Sequence, residues 1–259
     1  MLNTLRHESD GDATPVLIVH GLFGSARNWG AIAKRLSRRG PVLAVDMRNH
    51  GDSPRSDRQG YPEMAADLAE VIAAEGGPMD VLGHSMGGKA AMWLALTEPG
   101  LVRRLIVADI APVGYGHSQS RHIAAMRSLR LDGLDTRAEA DRRLAATVED
   151  PSLRAFFLQS LDLKGDSPRW KLNLGVLEAE MERIVGWPDT SALESFAGPA
   201  LFLAGGASDY VREEHRAGIK ALFPRARFAR IPGAGHWLHA EKPKEFAEAV
   251  RVFLDAPGA

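Results

Sequence analysis

The chain has 259 residues, a formal net charge of −1 and no cysteine, with 45% hydrophobic and 25% charged residues. This size and balance predict one domain with a sizeable core, or one domain carrying an insertion. The missing cysteine excludes disulfides, thiolate nucleophiles and Cys-ligated zinc or iron–sulfur sites. Near-neutral charge supplies no field to draw in nucleic acid or an anionic membrane. The opening MLNTLRHESDGD has no apolar signal core. No run approaches the roughly 18 apolar residues that a membrane span needs. The expectation is a soluble, cytoplasmic protein whose partner is a small molecule, with no nucleic acid and no membrane span. The arginine pairs Arg38-Arg39, Arg103-Arg104 and Arg142-Arg143 sit beside acids and read as solvated helix faces.

In chain order the apolar runs are VLIVH (16–20), VLAVD (42–46), MDVLG (79–83), LIVADI (105–110), ALFLAG (200–205) and RFARI (227–231). Between them lie amphipathic stretches such as NWGAIAKRLSRRG, PEMAADLAEVIAAEGG and REEHRAGIKALF. Runs this apolar predict strands buried on both faces, and their alternation with helices predicts a mostly parallel, doubly wound α/β sheet. From about Tyr115 to Ser195 the strand rhythm stops, and RHIAAMRSLRLDG, TRAEADRRLAATVED, PSLRAFFLQSL and LEAEMERIVGW run at helical spacing. The expected organisation is a core of residues 1–114 and 196–259 with a helical cap, 115–195, inserted over the sheet's carboxyl edge. Open α/β sheets bind their ligands at that edge.

The stretch GHSMGGKA (83–90) follows one strand and opens a helix, and it fits two machines. As G-x-x-x-x-G-K it is most of a phosphate-binding P-loop, with Asp109 at a strand end as a magnesium ligand. That loop needs Ser or Thr after its lysine, and position 90 is alanine. As G-x-S-x-G it is a nucleophile elbow, in which Ser85 sits on a strained turn and Gly83 and Gly87 remove side chains that would collide. The helix starting near Met86 then aims amide N–H groups at a developing oxyanion. A second donor, Leu22 or Phe23, lies in VLIVHGLFGS, and a distant base, His236, lies in RIPGAGHWLHAEKP. Three separate pieces in hydrolase order favour the elbow.

HGLFGS, VDMRNHGDS, GHSMGGKAAMWLAL, LIVADIAPV and GAGHWLHAEKP together resemble the α/β-hydrolase superfamily over nearly the whole chain. More narrowly, RNHGDSP, GHSMGGKAAM, DIAPVGY and AGHWLHAEKP resemble a branch of small bacterial acyl esterases with mitochondrial relatives. The resemblance implies an α/β-hydrolase fold with a helical cap. It implies a serine hydrolase cleaving carboxylic esters, or acyl thioesters, of short to medium chain length. No cofactor or metal is implied. Perhydrolysis and carbon–carbon bond hydrolysis are alternatives on the same residues, whereas a silent binding protein would have lost Ser85 or His236.

A serine needs a base to take its proton, and the base needs an acid to fix its tautomer. In most of the superfamily that acid follows the strand after the cap, in a G-x-x-D pattern. Here LFLAGGASDYV puts Ser208 at that position counted from Gly205, and Asp209 counted from Gly206. The resembled branch implies Asp109 as the acid, with Ser208 as an auxiliary partner bonding the histidine; Asp209 is the alternative.

Asp46, Arg48 and His50 read as a loop brace in which Asp46 pairs with Arg48, and His20 and His84 read as backbone braces. His236 and His239 have zinc-compatible spacing without a convincing third ligand. Lys89 reads as solvated or bracing. Trp29, Trp93 and Trp237 read as core, with Trp237, beside the base, the best substrate-pocket candidate. Phe23, Met86 and Tyr210 come next.

Overall fold

A computed structural model describes residues 1–165 and 167–257 of the chain. The elements run β1 (Thr4–His7), β2 (Val16–Val19), a 3-10 turn (Ala26–Trp29), α1 (Gly30–Leu36), β3 (Val42–Val45), α2 (Tyr61–Ala74), β4 (Met79–His84), α3 (Met86–Thr97) and β5 (Val102–Ala108). Then come α4 (Ser120–Ser128), α5 (Arg137–Leu144), α6 (Pro151–Leu158), β6 (Leu161–Asp162), β7 (Arg169–Trp170), α7 (Leu174–Ala179) and α8 (Met181–Val185). The chain closes with β8 (Ala200–Gly205), α9 (His215–Leu222), β9 (Ala226–Ile231), α10 (Leu238–Glu241) and α11 (Pro243–Asp255).

Seven strands form one sheet in the order β1-β3-β2-β4-β5-β8-β9. All neighbours are parallel except β1, which pairs antiparallel with β3 from Thr4 opposite Val45 to His7 opposite Val42. The inner strands are apolar along their length because both faces are covered. Val16 and Ile18 of β2 face a cluster with Ile32, Phe246 and Val250 from α1 and α11. Leu17 and Val19, pointing the other way, join Leu68, Ile72 and Leu94 from α2 and α3. The period-two alternation thus places one strand in two cores.

The expected parallel, doubly wound sheet is what the chain forms. The sequence reading missed β1, whose side chains alternate exposed and half-buried, and the hairpin β6–β7, whose strands have two residues each. Neither offers an apolar run to detect. One arginine pair was also misplaced: Arg103 and Arg104 lie on β5, not on a helix face. Arg103 forms an ion pair with buried Asp80, and buried Arg104 donates to the carbonyls of Phe253, Leu254 and Ala256, fastening the end of α11 to the sheet.

The segment from α4 to α8 lies between β5 and β8 and touches the carboxyl edge of the sheet. Ser160 Oγ donates to Phe23 O at 3.0 Å, Asn173 Nδ2 to Asn49 Oδ1 at 2.9 Å, and the Tyr61 hydroxyl to Ile184 O. Among the described residues no helix is long and apolar enough to cross a membrane.

Candidate active site

Five strand ends converge on one point. The turn after β4 carries Ser85, whose φ of +52° lies in the left-handed region that side chains avoid. Such a turn closes only if nothing projects inside it. A Cβ on Gly83 would lie 2.3 Å from Gly87 O, and one on Gly87 would lie 2.4 Å from the carbonyl oxygens of Val19 and His20. The two glycines therefore let the start of α3 press against the end of β2, which stands Ser85 at the sheet edge.

His236, on the loop after β9, meets Ser85 from the other side. Its Nε2 is 3.1 Å from Ser85 Oγ and accepts the hydroxyl proton, while its Nδ1–H donates to Asp109 Oδ2 at 2.8 Å. Asp109, immediately after β5, is wholly buried and itself holds φ +53°. Its other oxygen accepts from Gly205 N at 2.9 Å, and Oδ2 also accepts from Ser208 Oγ at 2.5 Å. Asp109 therefore lies against the imidazole Nδ1, and Ser208 bonds the carboxylate rather than the imidazole. Asp209 is exposed, and its backbone carbonyl accepts from the Arg212 guanidinium at 3.2 Å.

The two oxyanion alternatives separate. Phe23 N–H donates to His50 Nε2 at 3.2 Å and is committed. The N–H groups of Leu22 and Met86 donate to no described residue, and both residues line the cavity that contains Ser85. His20 accepts from Met47 N–H at 2.9 Å and donates to Gly21 O at 2.8 Å, so both nitrogens brace backbone. His84 Nε2 donates to His236 O at 2.9 Å, tying the loop of the base to the elbow strand; this tether left no signal in the sequence. Burial holds His20 and His84 below the usual imidazole range.

The cavity is about 830 Å³. Tyr210 stacks on the His236 ring at 4.0 Å between centroids, and Trp237 and Phe156 face each other at 5.8 Å on its apolar side with Leu153 and Phe157. Phe23 and Met86 also line it, as does buried Trp29, whereas Trp93 packs on Trp187 at 5.8 Å away from the cavity.

One expectation fails, and another resolves to one of its two readings. Asp46 does not pair with Arg48: it accepts from Asn3 Nδ2, Ala26 N and Asp52 N at 2.8–2.9 Å. Arg48 instead forks onto Asp67 of α2 at 2.6 and 2.8 Å. Of the two readings of Lys89, solvated or bracing, the structure has the bracing one. It is buried, and its ammonium donates to the carbonyls of Val185 at 2.9 Å and Gly186 at 2.6 Å. His239 stacks on Trp29, with centroids 4.1 Å apart and planes 10° apart. Among the described residues no group of three or more His, Asp or Glu side chains is arranged to hold a metal.

A model of the alpha/beta hydrolase family matches residues 16–249, and the chain belongs to that family. It is 42% identical over 256 residues to the sn-1-specific diacylglycerol lipase ABHD11 of Mus musculus, covering 95% of this chain and 83% of the relative. It is 39% identical over 244 residues to Esterase YbfF of Escherichia coli strain K12, covering 93% of each chain. A solved marine microorganism esterase superposes with a TM-score of 0.92 at 38% identity, covering 97% of this chain and 98% of its own.

Closing the elbow requires glycine at 87. Gly87→Ala should cost about 3 kcal/mol or more, seen as a drop of ~10 °C in Tm; an unchanged Tm would mean the turn tolerates the clash. A second outcome concerns acid. Burial, aided by the nearby His236, lowers His239 to about 3. The unfolded chain, with an imidazole near 6.5, therefore binds protons that the folded chain refuses, and stability falls as pH drops from about 6.5 toward 3. Between pH 7 and 5 this one group should remove about 2 kcal/mol. His239→Phe keeps a ring on Trp29 and should recover that amount, read as a shallower fall of Tm with acid; an equal fall in both proteins would contradict it.

Proposed function

We propose that the protein is a carboxylic ester hydrolase working through an acyl-enzyme on Ser85. The observation that carries this reading is the continuous hydrogen-bonded line from Ser85 Oγ through His236 to buried Asp109. Ser85 Oγ attacks the ester carbonyl as His236 Nε2 takes its proton. The tetrahedral oxyanion then lies against the free N–H groups of Met86 and Leu22 at the start of α3 and the end of β2. His236 returns the proton to the departing alcohol, leaving the acyl group on Ser85. The same base then takes a proton from water, whose attack releases the acid and restores the serine. Asp109 orients Nδ1–H and stabilises the imidazolium without taking the proton.

Ser208 and Gly205 N hold the carboxylate in place. Its two oxygens accept three hydrogen bonds, which aim it at the imidazole. The wall of Leu153, Phe156, Phe157 and Trp237 suits an acyl chain, in keeping with the esterase and diacylglycerol lipase names of the relatives. Short to medium acyl esters are the proposed substrates. Acyl thioesters need no different groups, since the leaving thiolate asks less of the general acid than an alkoxide does.

The test is hydrolysis of p-nitrophenyl esters of graded acyl length. Ser85→Ala should lower kcat about 10⁴-fold or more, leaving the contribution of binding and the oxyanion donors. Ser208→Ala removes one charge-assisted bond and should lower kcat about tenfold with little change in KM. Equal rates in wild type and Ser85→Ala would end the reading.

A further inference from the structure

Resting on the esterase reading above, we propose that Lys89 is a positioning residue for substrate selection. Its ammonium pins the Ile184–Val185 wall of the cavity to the elbow helix one turn from Ser85, so the wall's position depends on the charge of Lys89.

A lysine is a costly choice at this place. Helix α3 is buried almost all round, from Met86 to Leu96, and a methionine or leucine would fill the same volume without desolvating a charge. No carboxylate among the described residues pairs with Nζ, and neither relief by ion pairing nor solvation explains it. What Nζ does instead is specific. It donates to Val185 O at 2.9 Å and Gly186 O at 2.6 Å, the last carbonyls where the chain leaves α8. It lies 4.8 Å from the centre of the Tyr115 ring and 5.6 Å from that of Tyr61, within range for cation–π attraction. Tyr115 N–H also donates to Val185 O at 3.0 Å. Ile184 and Val185 line the same cavity as Ser85. The lysine thus joins the piece of backbone that shapes the cavity to the helix that carries the nucleophile, and an ester long enough to fill the cavity meets that wall.

The groups facing Nζ are few. Tyr61 comes from α2; Tyr115 and His117 come from the segment after β5. Burial raises both phenols, so they stay neutral, and burial first, then the charges of His236 and Lys89, keep His117 below its ordinary range. The elements α8 and its exit present only carbonyls. Burial lowers Lys89 itself to about 7. Losing that proton leaves an amine with two N–H groups, but the charge that attracts the carbonyls and the ring faces is gone. The wall is therefore tight at acid pH and looser at alkaline pH.

The test compares p-nitrophenyl octanoate with p-nitrophenyl acetate, taking the ratio of their kcat/KM values so that ionisation of the shared catalytic groups cancels. In wild type the ratio should fall about fivefold between pH 6 and 8.5. Lys89→Met should hold the ratio low and flat with pH, chiefly through KM for the octanoate, while acetate turnover stays within about threefold. His117→Gln should keep the wild-type pH dependence. A flat wild-type ratio overturns the proposal, and so does a Lys89→Met protein that follows the wild-type curve or loses both esters equally. If Lys89→Met does not fold, the wild-type curve decides alone. Failure of the esterase reading looks different: Ser85 would resist a fluorophosphonate and Ser85→Ala would match wild type.

Discussion

The site depends on one buried carboxylate. Asp109 sits where the ends of β5 and β8 and the loop after β9 approach one another, and it accepts from Gly205 N, Ser208 Oγ and His236 Nδ1. Buried polar oxygens are costly unless donors reach them. That requirement ties three separate parts of the chain to one point. His236 is aimed by Asp109, Ser85 is met by His236, and the cavity opens above them. The parallel sheet supplies the rigidity, since neighbouring strands end at the same edge and each end delivers one group.

The same edge stores strain. Phe23, Ser85 and Asp109 have φ values of +66°, +52° and +53°, and each follows an inner strand by four residues or fewer. Such conformations cost of order 1–3 kcal/mol each and persist when the surroundings over-determine them. Here the surroundings are two apolar clusters on opposite sheet faces, together with buried histidines that hold backbone rather than react. His50 fixes Phe23, His20 fixes the end of β2 to Met47, and His84 fixes the loop that carries His236. Burial keeps these imidazoles neutral, which makes acid the condition that loosens the edge first.

Much of this was legible from residues alone, where the signal is local. The sheet announced itself through apolar runs, and the positions of Ser85 and His236 through a glycine-framed turn and a loop before the last helix. The acid was harder, because Ser208 and Asp209 differ by one position and only the curvature of the chain after β8 decides which faces inward. In the structure Asp209 turns to solvent and Asp109 lies beneath the imidazole. The Leu22–Phe23 ambiguity was of the same kind, since no local pattern tells that His50 reaches the amide of Phe23. Lys89 stayed open between a solvated and a bracing role because a charged residue on a helix is ordinarily exposed, and its partners are backbone carbonyls nearly a hundred residues away that carry no side-chain signature. Asp46 and Arg48 are two residues apart, yet each finds its partners elsewhere, in Asn3 and in Asp67.

The most direct measurement is the rate and position of phosphonylation by a fluorophosphonate, mapped by peptide mass in wild type, Asp109→Asn and Asp209→Asn. Stoichiometric labelling of Ser85 in wild type is expected, slowed at least about a thousandfold in Asp109→Asn and nearly unchanged in Asp209→Asn. Labelling at another residue, or slow labelling in Asp209→Asn with Asp109→Asn unaffected, would contradict the account.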